Sequence, residues 1–258
     1  MCLITGASAG IGKALARVFA QHGHTLALAA RRETELQALA DEIAAAGHPR
    51  PHVFPVDLGA TDGAAHLADA LQAAHLEPSI VVNNAGFGLL GDAADLDHAQ
   101  ELAMIDLNVR VLTDLSLRWL EQVTRHRGGI LNVASVASFF PGPGMAVYHA
   151  TKAYVLSFTE SLHEELKAAG VRACALCPGP VETEFFARAG MPEDYAPALF
   201  RRSAERVARD GYEGFMGGHR VVVPGTPNRI LTLVPRLLPR GLMLKLFEIV
   251  QSRQHRRG

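Results

Sequence analysis

The chain opens on a short apolar run, MCLIT, followed at once by a glycine-rich turn, GASAGIG, and then by the sequence KALARVF. A short apolar run stopped by glycine reads as a buried strand, and the spacing of Ala14, Leu15, Val18 and Phe19 reads as a helix. Strand, glycine turn and helix in that order constrain the fold more than anything else in the sequence. They form the opening unit of an open parallel α/β sheet whose first turn lets backbone approach a pyrophosphate. The helix N-terminus behind that turn offers N–H groups and positive potential to the phosphates. Gly6, Ser8, Gly10, Ile11 and Gly12 are therefore the candidate phosphate-facing residues.

Strand and helix patterns then alternate. Residues 25–30 (TLALAA) read as a second strand ending at Arg31 and Arg32. An acid at this place, about 20 residues past the glycines, takes the ribose 2′-hydroxyl of NAD, whereas an arginine accommodates the 2′-phosphate of NADP. The pair of arginines points to NADP(H), with NAD(H) the less favoured cofactor. A helix over 34–46 stops at Gly47, and residues 51–56 form a third strand ending at Asp57 and Leu58. Asp57 either caps the next helix, over 64–74, or holds the adenine amino group. A fourth strand over 79–82 runs into Asn83, Asn84, Ala85 and Gly86. The asparagines can lock a turn through side-chain bonds to backbone, and the small pair leaves room for a flat ligand above the sheet.

The chemistry is concentrated further on. A long amphipathic helix over 97–125 carries Asn108, and a fifth strand over 129–134 delivers Ser135 at its C-terminal end. Ligands of open α/β sheets bind at strand C-terminal ends. After a PGPG turn, a helix over 145–170 carries Tyr148 and Lys152, which share a helix face at i and i+4. A free phenol, with a pKa near ~10, is a poor acid–base group at neutral pH, and a neighbouring ammonium lowers that value. Tyr148 and Lys152 are thus expected to act as a tuned proton donor, with Ser135 holding a substrate oxygen. A strand over 171–177 then ends at Pro178, Gly179, Pro180 and Val181, followed by Glu182 and Thr183.

Composition removes several alternatives. A formal net charge of −1 gives no argument for nucleic acid as a partner. Three cysteines make no disulfide framework and fit a reduced, cytoplasmic setting. Cys174 and Cys177 form a C-x-x-C, but inside a strand side chains three apart face opposite ways, so no redox pair is expected. The histidines lack an H-E-x-x-H, and no metal site is expected. No basic leader precedes an apolar stretch, and no apolar run is long enough to span a bilayer.

Taken together, TGASAGIG, NNAG, the asparagine of IDLNV, Ser135, YHATK and PGPVET resemble the short-chain dehydrogenase/reductase family over residues 1 to about 183. The resemblance implies one Rossmann-type α/β domain with a doubly wound, seven-stranded parallel sheet in the order 3-2-1-4-5-6-7. It implies Tyr148 as proton donor or acceptor. Lys152 would lower its pKa and hold the nicotinamide ribose, Ser135 would orient the carbonyl or hydroxyl, and Asn108 would keep a water-linked proton path to Lys152. Pro178, Gly179, Val181 and Thr183 would border the nicotinamide, Asp57 and Leu58 the adenine, and Asn84, Ala85 and Gly86 the adenosine side. Many NADP-preferring members carry a basic residue just before the second glycine of the turn. Here it is Ala9, so the 2′-phosphate assignment rests on Arg31 and Arg32. Members often carry residues ahead of the first strand, so the recorded start is expected to trim it.

The implied activity is NADP(H)-dependent hydride transfer on a CH–OH/carbonyl pair, read as carbonyl reduction, with an apolar or acyl-like small-molecule substrate. A broad aldehyde/ketone reductase is the variant within that class. The alternative is a nucleotide-binding regulator or scaffold that kept the fold and lost turnover. Family members pair through the helices holding Asn108 and Tyr148, which implies a homodimer or homotetramer. Residues 1–225 form the domain, and 184–220 are expected to cover the substrate. Phe185, Phe186, Met191, Tyr195, Leu199, Phe200, Tyr212, Phe215 and Met216 either line an apolar pocket there or serve as helix packing. Residues 226–258 set seven cations against Glu248, and Pro235 and Pro239 are expected to break them into pieces. Three readings stand for this tail: packing on the domain or a partner subunit, capping the pocket, or docking on a membrane surface.

Overall fold

The computed structural model describes residues 1–192, 196–237 and 241. Seven parallel strands make one sheet in the order β3-β2-β1-β4-β5-β6-β7. They are β1 (Cys2–Thr5), β2 (Leu26–Ala30), β3 (His52–Pro55), β4 (Ile80–Asn83), β5 (Gly129–Val133), β6 (Arg172–Leu176) and β7 (Val221–Val222). The expected order is the observed one. β1, β2 and β4 are buried along their whole length, as continuous apolar runs covered on both faces require.

One face is covered by α1 (Gly10–Gln21), α2 (Glu33–Ala45) and, from late in the chain, α9 (Ala204–Met216). Phe19, Leu36, Leu39 and Phe215 fill this layer with no exposed surface, each fully buried large side chain contributing about 1.5–3 kcal/mol. The other face carries α3 (Gly63–Ala73), α4 (His98–Ile105), α5 (Leu112–Arg118), α6 (Leu120–Arg125) and α7 (Ala146–Leu166), with Leu67, Leu71, Leu115, Val123 and Leu162 packed beneath. Two further helices follow the sixth strand: α8 (Glu184–Arg188), and α10 (Thr226–Leu237) at the end of the described chain.

The single helix expected over 97–125 is three helices. A π-helical segment, Asp106–Val111, separates α4 from α5, and Trp119 leaves helical geometry at φ −106° and ψ 16° before α6. The periodicity survives both interruptions because the buried face is continuous; the pattern alone could not report them.

A chain of buried amides and hydroxyls crosses the middle of the sheet. Asn83 Nδ2 donates to Ser116 Oγ and to Asn132 Oδ1, each at 2.9 Å, and Asn132 Nδ2 donates to Thr159 Oγ1 at 2.9 Å. β4 and β5 are thereby tied to α5 and α7 directly under the ends of the strands that carry the site.

Cys174 and Cys177 are both buried and free, and they lie in different core clusters, so the C-x-x-C makes no redox pair. The expected break at Pro235 does not occur, since that proline sits inside α10. It lies in the last turn, where one missing N–H costs a single rung. Pro239 lies outside the described residues.

Candidate active site

Every strand of the sheet points the same way, so the segments after β1 to β6 meet along one edge. Gly6, Arg31, Asp57, Asn84, Ser135 and Pro178 all follow strand ends there. The glycine turn is built for close approach. Gly6 has φ +64°, the left-handed region, and a Cβ on Gly12 would run into Gly6 O and Asn84 Nδ2. Asn84 braces the turn by donating to Thr5 O at 3.0 Å and Gly6 O at 3.1 Å. Ala85 N donates to Thr5 Oγ1 at 3.1 Å, which fixes the next residue beside it. Ile11 leans on the core below.

The catalytic candidates are brought together. Ser135 caps the short 3₁₀ turn Val136–Phe139, accepting from Ala137 N at 3.1 Å, and its hydroxyl acts on the Tyr148 phenol to favour ionisation. Lys152 is 6% exposed; its Nζ lies 5.8 Å from the centre of the Tyr148 ring and donates to Val133 O at 2.8 Å. Burial pushes the Tyr148 phenol up to about 12, with the Ser135 hydroxyl pulling the other way. Burial pushes the Lys152 ammonium down to about 8, opposed by Cys177. In this structure desolvation outweighs any lowering of the phenol by Lys152. The amine spends a hydrogen bond on a strand carbonyl and faces the ring, and loss of hydration governs both groups. The result at neutral pH is a neutral phenol beside an ammonium near its own titration point.

Asn108, with no exposed surface, sits in the π segment. Its Oδ1 accepts from Phe87 N at 3.1 Å, and its Nδ2 donates to Phe87 O at 2.8 Å and Thr151 Oγ1 at 3.2 Å. A Cβ on Gly86 would lie 2.7 Å from Asn108 Oδ1 and 3.7 Å from Lys152 Nζ. Asn108 thus fixes the loop after β4 against the helix that carries Tyr148 and Lys152. Thr151 supplies half of that link and was missed in the sequence, where it looked like an ordinary helical residue.

At the far end of the edge, Arg32 stretches back over the glycine turn. Its Nε reaches Ser8 Oγ at 3.4 Å, Nη2 donates to Ser8 O at 3.3 Å, and Nη1 pairs with Glu184 Oε2 at 3.0 Å. Arg31 is exposed beside it. Asp57 does not cap α3, whose N-cap is Asp62; its Oδ1 accepts from Gly59 N at 2.9 Å. Leu58 is buried in the core, so only its backbone can face a ligand.

After β6, Pro178 and Val181 are buried and Gly179 packs against Asn228 of α10. Thr183 caps α8 by accepting from Phe185 N at 3.3 Å, and a Cβ on Gly10 would meet its Cγ2 at 3.1 Å. Phe185 lies 5.6 Å from the Tyr148 ring, and Met145, Leu90, Phe186, Ala189 and Met191 complete an apolar cluster there. The remaining lid candidates divide. Tyr212 and Phe215, with Met216 against them, are core packing between α9 and α1, Leu199 is exposed, and Tyr195 lies outside the described residues. Asn228 Nδ2 donates to Phe200 O at 3.1 Å and Pro224 O at 3.0 Å, so the start of the tail packs on its own domain.

The glycine cradle and the guanidinium of Arg32 beside it fit a phosphorylated dinucleotide along this edge. Among the described residues no cluster of three metal-ligating groups exists, and no helix is long and apolar enough to cross a membrane.

A family model described as short chain dehydrogenase matches residues 1–194. Sulfoacetaldehyde reductase 2 of Chromohalobacter salexigens is 37% identical over 212 residues, which is 81% of this chain and 83% of that protein. A short-chain dehydrogenase from Sphingobium yanoikuyae, solved in complex with NADPH, superposes with a TM-score of 0.81 at 31% identity, covering 94% of each chain. A 7beta-hydroxysteroid dehydrogenase superposes with a TM-score of 0.85 over 95% of each chain at 22% identity, a likeness of fold alone. On the match of its family model and the identity to these relatives, this chain belongs to the short-chain dehydrogenase family of oxidoreductases.

Proposed function

We propose that the protein is an NADP(H)-dependent carbonyl reductase in which Tyr148 gives the proton, Ser135 holds the carbonyl oxygen and Lys152 supplies positive charge beside the phenol. The observation that carries the reading is the meeting of these three side chains at the end of β5, next to the glycine turn. NADPH, when bound, supplies the hydride. The turn of Gly6, Ser8, Gly10, Ile11 and Gly12 would hold its pyrophosphate, and Arg31 and Arg32 the 2′-phosphate. Asp57, Leu58, Asn84, Ala85 and Gly86 would hold the adenosine, and Pro178, Gly179, Val181, Thr183 and Lys152 the nicotinamide end. The solved Sphingobium relative contains NADPH, which supports the cofactor choice.

With its pKa near 12, Tyr148 carries its proton at neutral pH, as a general acid for reduction must. Ser135, whose hydroxyl can both donate and accept, would hold the carbonyl oxygen beside the phenol. Lys152, still largely charged at pH 7, offsets the charge left on the phenol once the proton has gone.

The residues around Tyr148 support a reading of the substrate class. The cluster around Tyr148 is built from Met145, Leu90, Phe185, Phe186, Ala189 and Met191, which favours an apolar or acyl-like substituent. Of segment 184–220, the part ahead of α9 serves as the cover of this site, since α9 packs in the core, and residues 226–258 extend the domain. A screen of NADPH oxidation across ketones, aldehydes and ketoacyl thioesters tests the proposal. Turnover of apolar ketones or acyl thioesters is expected; NADPH binding without turnover of any carbonyl would favour the nucleotide-binding regulator instead.

A further inference from the structure

Arg32 is not waiting free for a phosphate. Of its three guanidinium nitrogens, two face Ser8 and the third is paired with the Glu184 carboxylate. Glu184 lies 152 positions along the chain and opens α8, so the pair reaches from the glycine turn to the segment after β6. The same short helix is anchored by Thr183 against Gly10 on one side and carries Phe185 against Tyr148 on the other. Glu184 is thus delivered to Arg32 by a tightly placed element and not by a freely ranging side chain.

The carboxylate occupies the position of an anion on a guanidinium beside a hydroxyl and the glycine turn. A 2′-phosphate would use the same donors: the Arg32 fork and Ser8 Oγ. Two anions drawn to one guanidinium repel each other, whichever of its N–H groups they hold. An exposed pair is weak, and both partners here are about half exposed, at 46% and 59%. The carboxylate can therefore be displaced, but its displacement is a cost charged only to a cofactor that bears the phosphate.

We infer that Glu184 is a specificity-determining residue that competes with the 2′-phosphate for Arg32 and so lowers the protein's preference for NADPH over NADH. The inference rests on the assignment of Arg32 to the 2′-phosphate made above. A cofactor with a free 2′-hydroxyl leaves the Arg32–Glu184 pair intact and takes no penalty.

Fluorescence titration of NADPH and NADH against the full-length protein, Glu184→Gln, Arg32→Gln and the double variant tests it. Glu184→Gln is expected to tighten NADPH about two- to fivefold, the scale of a weak exposed pair, and to leave NADH unchanged. In the Arg32→Gln background, the same substitution is expected to change neither. Equal tightening of both cofactors, weaker NADPH binding, or a gain that persists without Arg32 would overturn the inference while leaving the cofactor assignment standing. If Arg32→Gln itself leaves NADPH affinity untouched, the assignment of Arg32 fails, and the inference with it. Far-ultraviolet circular dichroism of each variant identifies any loss of folding, and Glu184→Asp, which keeps the charge on a shorter arm, is expected to fall between Gln and the native residue.

Discussion

Lys152 and Tyr148 sit one helical turn apart, and burial moves their ionisations in opposite directions. The phenol rises to about 12 and the ammonium falls to about 8. Groups split in this way take different parts in one proton transfer. The sign for activity is direct. Below about pH 8, Lys152 is charged and can stabilise the phenolate that forms as Tyr148 gives up its proton; above it, the charge is lost while Tyr148 still holds its proton. Reductive kcat/KM is expected to be flat below that point and to fall about tenfold per pH unit above it. A pH–rate profile of the native enzyme against Lys152→Arg checks this. The arginine variant, whatever its absolute rate, should show no such fall between pH 8 and 10. A native profile that rises over the same interval would contradict the assignment.

Among elements, the strands after which the site residues lie are held by more than their ladders. Asn132, fully buried in β5, joins Asn83 of β4 to Thr159 of α7. Replacing it with leucine removes both bonds and leaves buried polar atoms short of partners. We expect Asn132→Leu to cost about 2–4 kcal/mol, seen as a fall in Tm of roughly 5–15 °C, while cofactor affinity measured well below that temperature changes little. A thermal scan with no shift would mean the polar chain is energetically idle. Much of this level was legible beforehand. Five of the seven strands announce themselves as short apolar runs ending in glycine, asparagine, serine or proline, the other two running into Arg31 and Asp57, and Tyr148 and Lys152 share a face because the helical period is local. The π segment at Asn108 was not legible, because it is held by Phe87 and Thr151, 21 and 43 positions away. Glu184 on Arg32 was hidden for the same reason: a parallel sheet brings distant strand ends to one edge, and no local pattern records which side chains meet there. Phe185 was visible as one of nine large apolar candidates, and only its contact with Tyr148 separates it from Tyr212 and Phe215, which are core.

For the whole molecule, the face built by α4, α5 and α7 is unusually apolar for a surface. Leu102, Ile105, Leu117 and Tyr154 are each 40–48% exposed there, and Thr113 Oγ1 and Tyr154 OH approach at 3.0 Å to fix α5 against α7. The helices that hold Asn108 and Tyr148 from within would also carry the contact between subunits, so assembly and active-site order would rise and fall together. Light scattering after gel filtration is expected to give a dimer or tetramer, and Leu102→Asp with Ile105→Asp to shift it toward monomer with reduced turnover. A native monomer at micromolar concentration would remove this link.

The proposed activity depends on the phenol of Tyr148 as the proton source, and one comparison tests that most directly: turnover and NADPH affinity of Tyr148→Phe, side by side with the native protein on any carbonyl it reduces. The variant is expected to bind NADPH with native affinity and to lose at least about 10²-fold in kcat, the scale of a removed general acid. A variant that binds NADPH and turns over at the native rate would contradict the account.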